Sequence, residues 1–90
     1  MTNTTIETIG CDLGDKTSEM CVLGADGGKQ RASVRTTRNA MTLFFTRASA
    51  HVVIEVGAHS RWVSALLKEL GHRVTVANPR RLKRRRRGGA

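Results

Sequence analysis

The stretch His51-Val52-Val53-Ile54-Glu55-Val56-Gly57 decides the fold. Its β-branched run reads as a short strand buried on both faces and ended by Gly57. One acid, Glu55, interrupts it near its C-terminal end. Helical spacing flanks it on both sides. Upstream, Met41, Phe44, Phe45 and Ala48 fall at i, i+3, i+4 and i+7, the apolar face of a helix with Thr36 or Thr37 as its N-cap. Downstream, a helix over about Ser60–Leu70 buries Val63, Leu66, Leu67 and Leu70, with Gly71 as a left-handed residue just past its end. Arg73–Ala77 then reads as a strand, which Asn78-Pro79 breaks because proline cannot donate to a ladder.

Toward the N-terminus the pattern turns to short strands. One strand covers about Thr5–Leu13 and halts at Gly14-Asp15, and a second covers about Thr17–Leu23. Ala25-Asp26-Gly27-Gly28 supplies the positive-φ positions of a tight turn. A third strand, about Gln30–Thr36, sets Ala32, Val34 and Thr36 against Arg31, Ser33 and Arg35, a period of two with one polar face. The order is β-β-β-α-β-α-β. Right-handed crossovers make the first, fourth and fifth strands parallel neighbours, so an α/β fold with a mixed sheet of order 3-2-1-4-5 is expected.

The charge is placed unevenly. The chain of 90 residues carries 16 basic and 7 acidic side chains, for a net +9. Residues 80–90 hold Arg80, Arg81, Lys83 and Arg84 to Arg87 and no acid, which leaves the body nearly balanced. That tail, ending RRRRGGA, is expected to be disordered and able to bind nucleic acid nonspecifically through counterion release. The longest stretch without Asp, Glu, Lys or Arg is Asn39–Thr46, whereas a membrane helix needs about 20 apolar residues. No membrane association is expected. The opening MTNTTIETIG does not read as a secretory signal, so the expected location is cytoplasmic. Cys11 and Cys21 make neither a disulfide framework nor, with His51 and His72, a zinc spacing. The two cysteines are expected near each other across the first hairpin and reduced, and the two histidines at the surface.

Two acids sit where chemistry is done. Asp12 ends the first strand and Glu55 ends the fourth, and sites in α/β sheets form beyond the carboxyl ends of parallel strands. Adjacent strands lie about 4.8 Å apart. Two bare carboxylates at about 5 Å repel by about 3 kcal/mol at an effective dielectric of about 20, which favours a bridging cation. Mg²⁺ is the natural one, hard and oxygen-seeking. The bland alternative is that Asp12 caps a turn and Glu55 pairs with Arg61 or Arg73. Asp15 reads as a turn residue, and Glu7 and Glu19 as solvated charges on strand faces.

The segments IGCDLGDKTSEMCVLGADG (9–27) and VVIEVGAHSRWVSALLKELGHRVTVANPRRLK (52–83), with their separation, resemble the N-terminal part of the DEDD transposases of the insertion sequence 110 family. Pilin-gene-type DNA invertases belong to the same group. The resemblance covers about residues 5–83 and implies a ribonuclease H-like (RuvC-like) fold, whose element order agrees with the one read above. It makes residues 1–79 a partial RuvC-like domain, followed by the basic tail 80–90. It implies that Asp12 and Glu55 are the first two catalytic, Mg²⁺-holding acids of the D-E-D-D set, that the substrate is DNA, and that a guide RNA acts with some members. Oligomers are plausible in intact relatives. The third and fourth acids lie downstream in the family, as does a domain with a nucleophilic serine. This chain has no Asp or Glu after Glu69. The change to RRRRGGA after Arg80-Arg81-Leu82-Lys83 leads to the expectation of a frameshifted or truncated copy, weak in Mg²⁺ binding and inactive alone.

Basic and polar residues near these acids complete the expected site. Lys16 follows Asp12, and His59, Ser60 and Arg61 open the second helix, whose free N–H groups attract phosphate. With Arg80, Arg81 and Lys83 they are the expected nucleic-acid contacts, against a bland reading as caps and solvated surface. Trp62 suits packing better than base stacking, and Gly10 and Gly14 ease turn geometry near the site. The pattern Gly10-x-Asp12-x-Gly14-x-x-Thr17 also occurs in sugar kinases and actin-like ATPases, the rival enzyme class. A noncatalytic basic nucleic-acid-binding module is the other alternative. If elements that would cover the sheet are missing, Met41, Phe44 and Leu67 are the expected exposed apolar surface.

Overall fold

The computed structural model describes residues 6–78. Its elements follow the expected order: β1 (Thr8–Asp12), β2 (Thr17–Leu23), β3 (Lys29–Arg35), α1 (Arg38–Phe45), β4 (His51–Glu55), α2 (Ser60–Glu69) and β5 (Arg73–Ala77). The five strands form one mixed sheet in the order β3-β2-β1-β4-β5. β1 is antiparallel to β2 and parallel to β4, β4 is parallel to β5, and β2 is antiparallel to β3. This is a ribonuclease H-like α/β topology.

Local chemistry sets the boundaries. The β2–β3 turn closes through Gly24 N–H to the Gly28 carbonyl (2.7 Å), with Gly27 at φ +91° and the Asp26 carboxylate accepting from Gly28 N–H (2.8 Å). Thr37 caps α1, its side chain accepting from Ala40 N–H at 3.1 Å. Gly71 at φ +95° ends α2 in the left-handed conformation that only glycine adopts freely. The chain thereby turns directly into β5.

Both helices pack on one side of the sheet, α1 against β3 and α2 against β4 and β5, and they touch each other. The core lies between. Ile9, Met20, Val52, Ile54, Met41, Phe45, Val63 and Leu67 are almost completely buried there. Ser18 is buried on the same side and is satisfied by the Thr36 hydroxyl at 2.7 Å. The opposite face of the sheet carries no helix among the described residues, and this accounts for several departures from the expectations above.

β4 is covered on one face only: Val52 and Ile54 are buried, Val53 is half-buried and Glu55 exposed. α1 stops at Phe45, so Ala48 lies outside the helix and is exposed. Met41 and Leu67 are buried between the helices and the sheet, so they are not vulnerable surface. Among the described residues the exposed large apolar side chains are instead Ile6, Leu23, Leu43, Val56 and Val76.

Cys11 and Cys21 do not meet. Gly10 is the partner of Cys21 and Met20 the partner of Cys11, so the two thiols project from opposite faces. Both are free, and burial pushes the Cys11 thiol up to about 12.

His72 is not at the surface: it is 5% exposed. Ala50 N–H donates to its Nδ1 (3.0 Å), which leaves Nε2–H to donate to the Phe45 carbonyl (2.7 Å). The imidazole thus ties the end of α1, the start of β4 and the start of β5 together. His51 is half-buried, with Nε2 2.9 Å from the Thr75 hydroxyl.

Candidate functional site

Side chains alternate along a strand, so the buried residues identify the face of every other one. Ile9 and Cys11 in β1 and Val52 and Ile54 in β4 point to the helices. Asp12 and Glu55, each one residue later, belong to the other, open face. The parallel register pairs Cys11 with Ile54, so Asp12 and Glu55 are the next step of the same ladder, at the carboxyl ends of neighbouring strands. Both are exposed, and neither takes part in an ion pair among the described residues. Glu55 is therefore not neutralised by Arg61 or Arg73.

A third acid stands beside them, one that sequence reasoning had set aside. Glu19 of β2 is the antiparallel partner of Asp12 and shares its face. Its carboxylate accepts from the Ser33 hydroxyl, at 3.0 Å to Oε1 and 2.8 Å to Oε2. The signal that could have found it is register: the four residues between β1 and β2, Leu13 to Lys16, close a hairpin that sets Glu19 opposite Asp12. Turned toward Ser33, Glu19 does not complete a cluster. Among the described residues no three His, Cys, Asp or Glu side chains form a group that could hold a metal ion. The chemistry of the rim is accordingly that of a carboxylate pair: hard oxygen donors, exposed and without an ion-pair partner among the described residues. This donor set fits Mg²⁺, which is commonly held by one or two carboxylates together with water and phosphate oxygens.

The loop after Asp12 is fixed locally. Gly14 passes so close to the Thr17 carbonyl oxygen that a Cβ there would collide with it. Gly10, in contrast, has open space above it, at the centre of the uncovered face. Asp15 is more than a turn residue, since its Oδ1 lies 3.1 Å from His59 Nε2. Trp62 Nε1–H donates to His59 Nδ1 at 3.1 Å. An indole N–H can only donate, so Nδ1 is the acceptor and Nε2 carries the proton offered to Asp15. This chain of contacts links the β1–β2 loop to the start of α2 beside the acidic rim. Trp62 is half-buried against the core, as packing requires.

The expected phosphate contacts divide. Lys16 and Arg61 are exposed and have no ion-pair partner among the described residues. Ser60 is buried, its hydroxyl donating to the Gly57 carbonyl (2.9 Å) and accepting from Gly57 N–H (3.1 Å), so it shapes the turn into α2. His59 is the N-cap residue of α2 and makes no side-chain capping bond. Arg80, Arg81 and Lys83 lie outside the described residues, as does the rest of the basic tail. Among the described residues no helix is long and apolar enough to cross a membrane. Comparison with protein-family models and with curated proteins gives no match.

Proposed function

We propose that this chain is the N-terminal, RuvC-like part of a DEDD insertion-sequence transposase, in which Asp12 and Glu55 hold Mg²⁺ against a phosphodiester of DNA. One observation carries this: two exposed carboxylates, free of ion pairs among the described residues, at successive positions of one open face at the carboxyl ends of parallel β1 and β4. The β-β-β-α-β-α-β order and the 3-2-1-4-5 sheet support it, because they belong to the ribonuclease H-like fold on which such sites are built. Mg²⁺ bound there would neutralise charge on the phosphate and polarise its oxygens. The chain's own groups orient it: the hydrophobic core fixes the register of β1 and β4, Gly14 fixes the turn after Asp12, and the Asp15–His59–Trp62 contacts hold that turn to α2. Two carboxylates fill only part of an octahedral shell, so affinity in this chain is weak and cleavage by the chain alone is not expected.

Calorimetric titration with Mn²⁺ and Mg²⁺ tests this. Saturable binding is expected, reduced at least tenfold in both Asp12→Asn and Glu55→Gln and unchanged in Asp26→Asn. Equal binding in all four proteins would overturn the metal assignment. Nucleic-acid binding that persists without any metal response would leave a noncatalytic binding module.

A further inference from the structure

Edge strand β3 carries a row of cations that the acidic site does not use. Lys29, Arg31 and Arg35 are exposed and pair in register with Leu23, Cys21 and Thr17 of β2. They share a face with Ser33, whose partner Glu19 is in turn the partner of Asp12, so the cations flank the same open face that bears the acidic rim. None of the three joins an ion pair among the described residues, where Arg38–Glu69, Arg47–Glu7 and His59–Asp15 pair. Glu19, the cross-strand partner of Ser33, is hydrogen-bonded to it. Alternate residues of a strand recur about every 6.6 Å, so Lys29 and Arg31 stand one such step apart and Arg31 and Arg35 two, with Ser33 between them.

The surface beside it is low. Toward the centre of the sheet come Thr8, Gly10, Cys21 and Val53, and the space above Gly10 is open. The chain's aromatic residues, Phe44, Phe45 and Trp62, lie on the helices and pack with the core on the other side. A ligand on this face meets charge, small side chains and, among the described residues, one ring, the half-buried imidazole of His51, which is held 2.9 Å from the Thr75 hydroxyl.

We propose that Lys29, Arg31 and Arg35 form a track for a phosphodiester backbone, laying nucleic acid along the open face independently of base sequence. Only its direction, toward Asp12 and Glu55, rests on the function proposed above. Charges on an edge strand also discourage strand addition. That role is served by either sign, and the other edge, β5, keeps a single charge, Arg73, beside the exposed Val76. Three cations on one strand that itself carries no acid suit a polyanion.

The test is oligonucleotide binding by the full chain across a salt series in EDTA, so that metal binding plays no part. Oligothymidylate and a mixed-sequence duplex are the two probes. Each phosphate contact contributes about 0.7 to the log–log salt slope for a single strand and about 0.9 for a duplex. The Lys29→Gln/Arg31→Gln/Arg35→Gln variant is therefore expected to lose about 2 from the slope with the strand or nearly 3 with the duplex, the larger deficit identifying the form that lies on the track. Arg31→Lys/Arg35→Lys keeps the slope. Arg38→Gln/Arg47→Gln/Lys68→Gln, which removes the same charge from the helical side, keeps it too. A second measurement needs no variant: phenylglyoxal modification of the wild-type chain, read by mass spectrometry, should show Arg31 and Arg35 protected by oligonucleotide and Arg38 unprotected. Slopes within 0.5 of wild type in the triple glutamine variant, an equal loss in the helical-side variant, or equal modification of Arg31 with and without oligonucleotide would each overturn the track.

Discussion

Replacing Asp12 by asparagine should make the protein more stable. Asp12 has a carboxylate neighbour on either side, Glu19 directly across β2 and Glu55 at the next step of β4. Opposed side chains in a sheet stand about 5 Å apart, and like charges there are destabilising. All three acids are exposed, so a water-like dielectric applies, and each pair costs about 0.8 kcal/mol. Screening over a Debye length of about 10 Å at 0.1 M salt brings the two together to about 1 kcal/mol. Asp12→Asn keeps the shape and removes both repulsions. Urea unfolding, followed by circular dichroism and by the emission of Trp62, should show a higher midpoint with an unchanged slope. In 1 M salt the gain should shrink to a few tenths of a kcal/mol, since the Debye length falls to about 3 Å. Mg²⁺ supplies an independent arm: at ten times its Kd it should stabilise the wild type by about 1.4 kcal/mol and the variant by almost nothing. A destabilised Asp12→Asn protein, or equal stabilisation of both by Mg²⁺, would refute the idea that this rim holds mutually repelling carboxylates awaiting a cation.

Three other perturbations follow from the fold. His72→Ala strands the buried Ala50 N–H and the Phe45 carbonyl, at about 1–3 kcal/mol each, and should lower the unfolding free energy by at least 2 kcal/mol in the same urea assay. Gly14→Ala sets a Cβ against the Thr17 carbonyl oxygen, so a loss of about 1–3 kcal/mol is expected, with weaker Mg²⁺ binding because the turn after Asp12 must shift. Cys11 is a thiol raised by burial from 9.0 to about 12, so its contribution is fully present below pH 9 and lost as pH rises toward 12. Because folding binds that proton more tightly, wild-type stability should fall between pH 9 and 12 by up to about 1.4 kcal/mol per unit relative to Cys11→Ala. At pH 8 a maleimide should label Cys21 and spare Cys11; equal labelling would refute the burial.

Much of the fold was legible in local pattern. Thr17–Leu23 and Arg73–Ala77 have the same bounds in the sequence and in the structure, because Gly14-Asp15, Gly71 and Asn78-Pro79 punctuate them chemically. Less legible was how much of the sheet would be covered. A β-branched run such as Val52-Val53-Ile54 reads the same whether helices lie on one side or on both, so Val53 looked buried when its face is open. His72 shows the converse. A lone histidine beside a glycine carries no sign of burial until α1 ends at Phe45 and brings a backbone carbonyl to its ring. Ala48 fits the helical period, yet α1 ends at Phe45, and periodicity alone places no stop there.

The acidic pair lies between these cases. Which strands are neighbours followed from the order of elements, but a shared face depends on register, and a slip of one residue would turn every side chain of a strand over. What prevents the slip is the core. Ile9 and Cys11 must stay beside Val52 and Ile54 under the helices, and moving either strand by one residue would expose two apolar side chains and bury an acid. Burying an unpaired carboxylate costs several kcal/mol, and exposing an aliphatic side chain costs about 1.5–3 more. The coincidence of Asp12 and Glu55 on one face is thus enforced by residues on the other. The same alternation puts Lys29, Arg31 and Arg35 beside Ser33, because Ala32 and Val34 are held inward. One hydrophobic constraint therefore aligns the acidic rim and the cationic edge on a common surface, which is the arrangement that both proposals require.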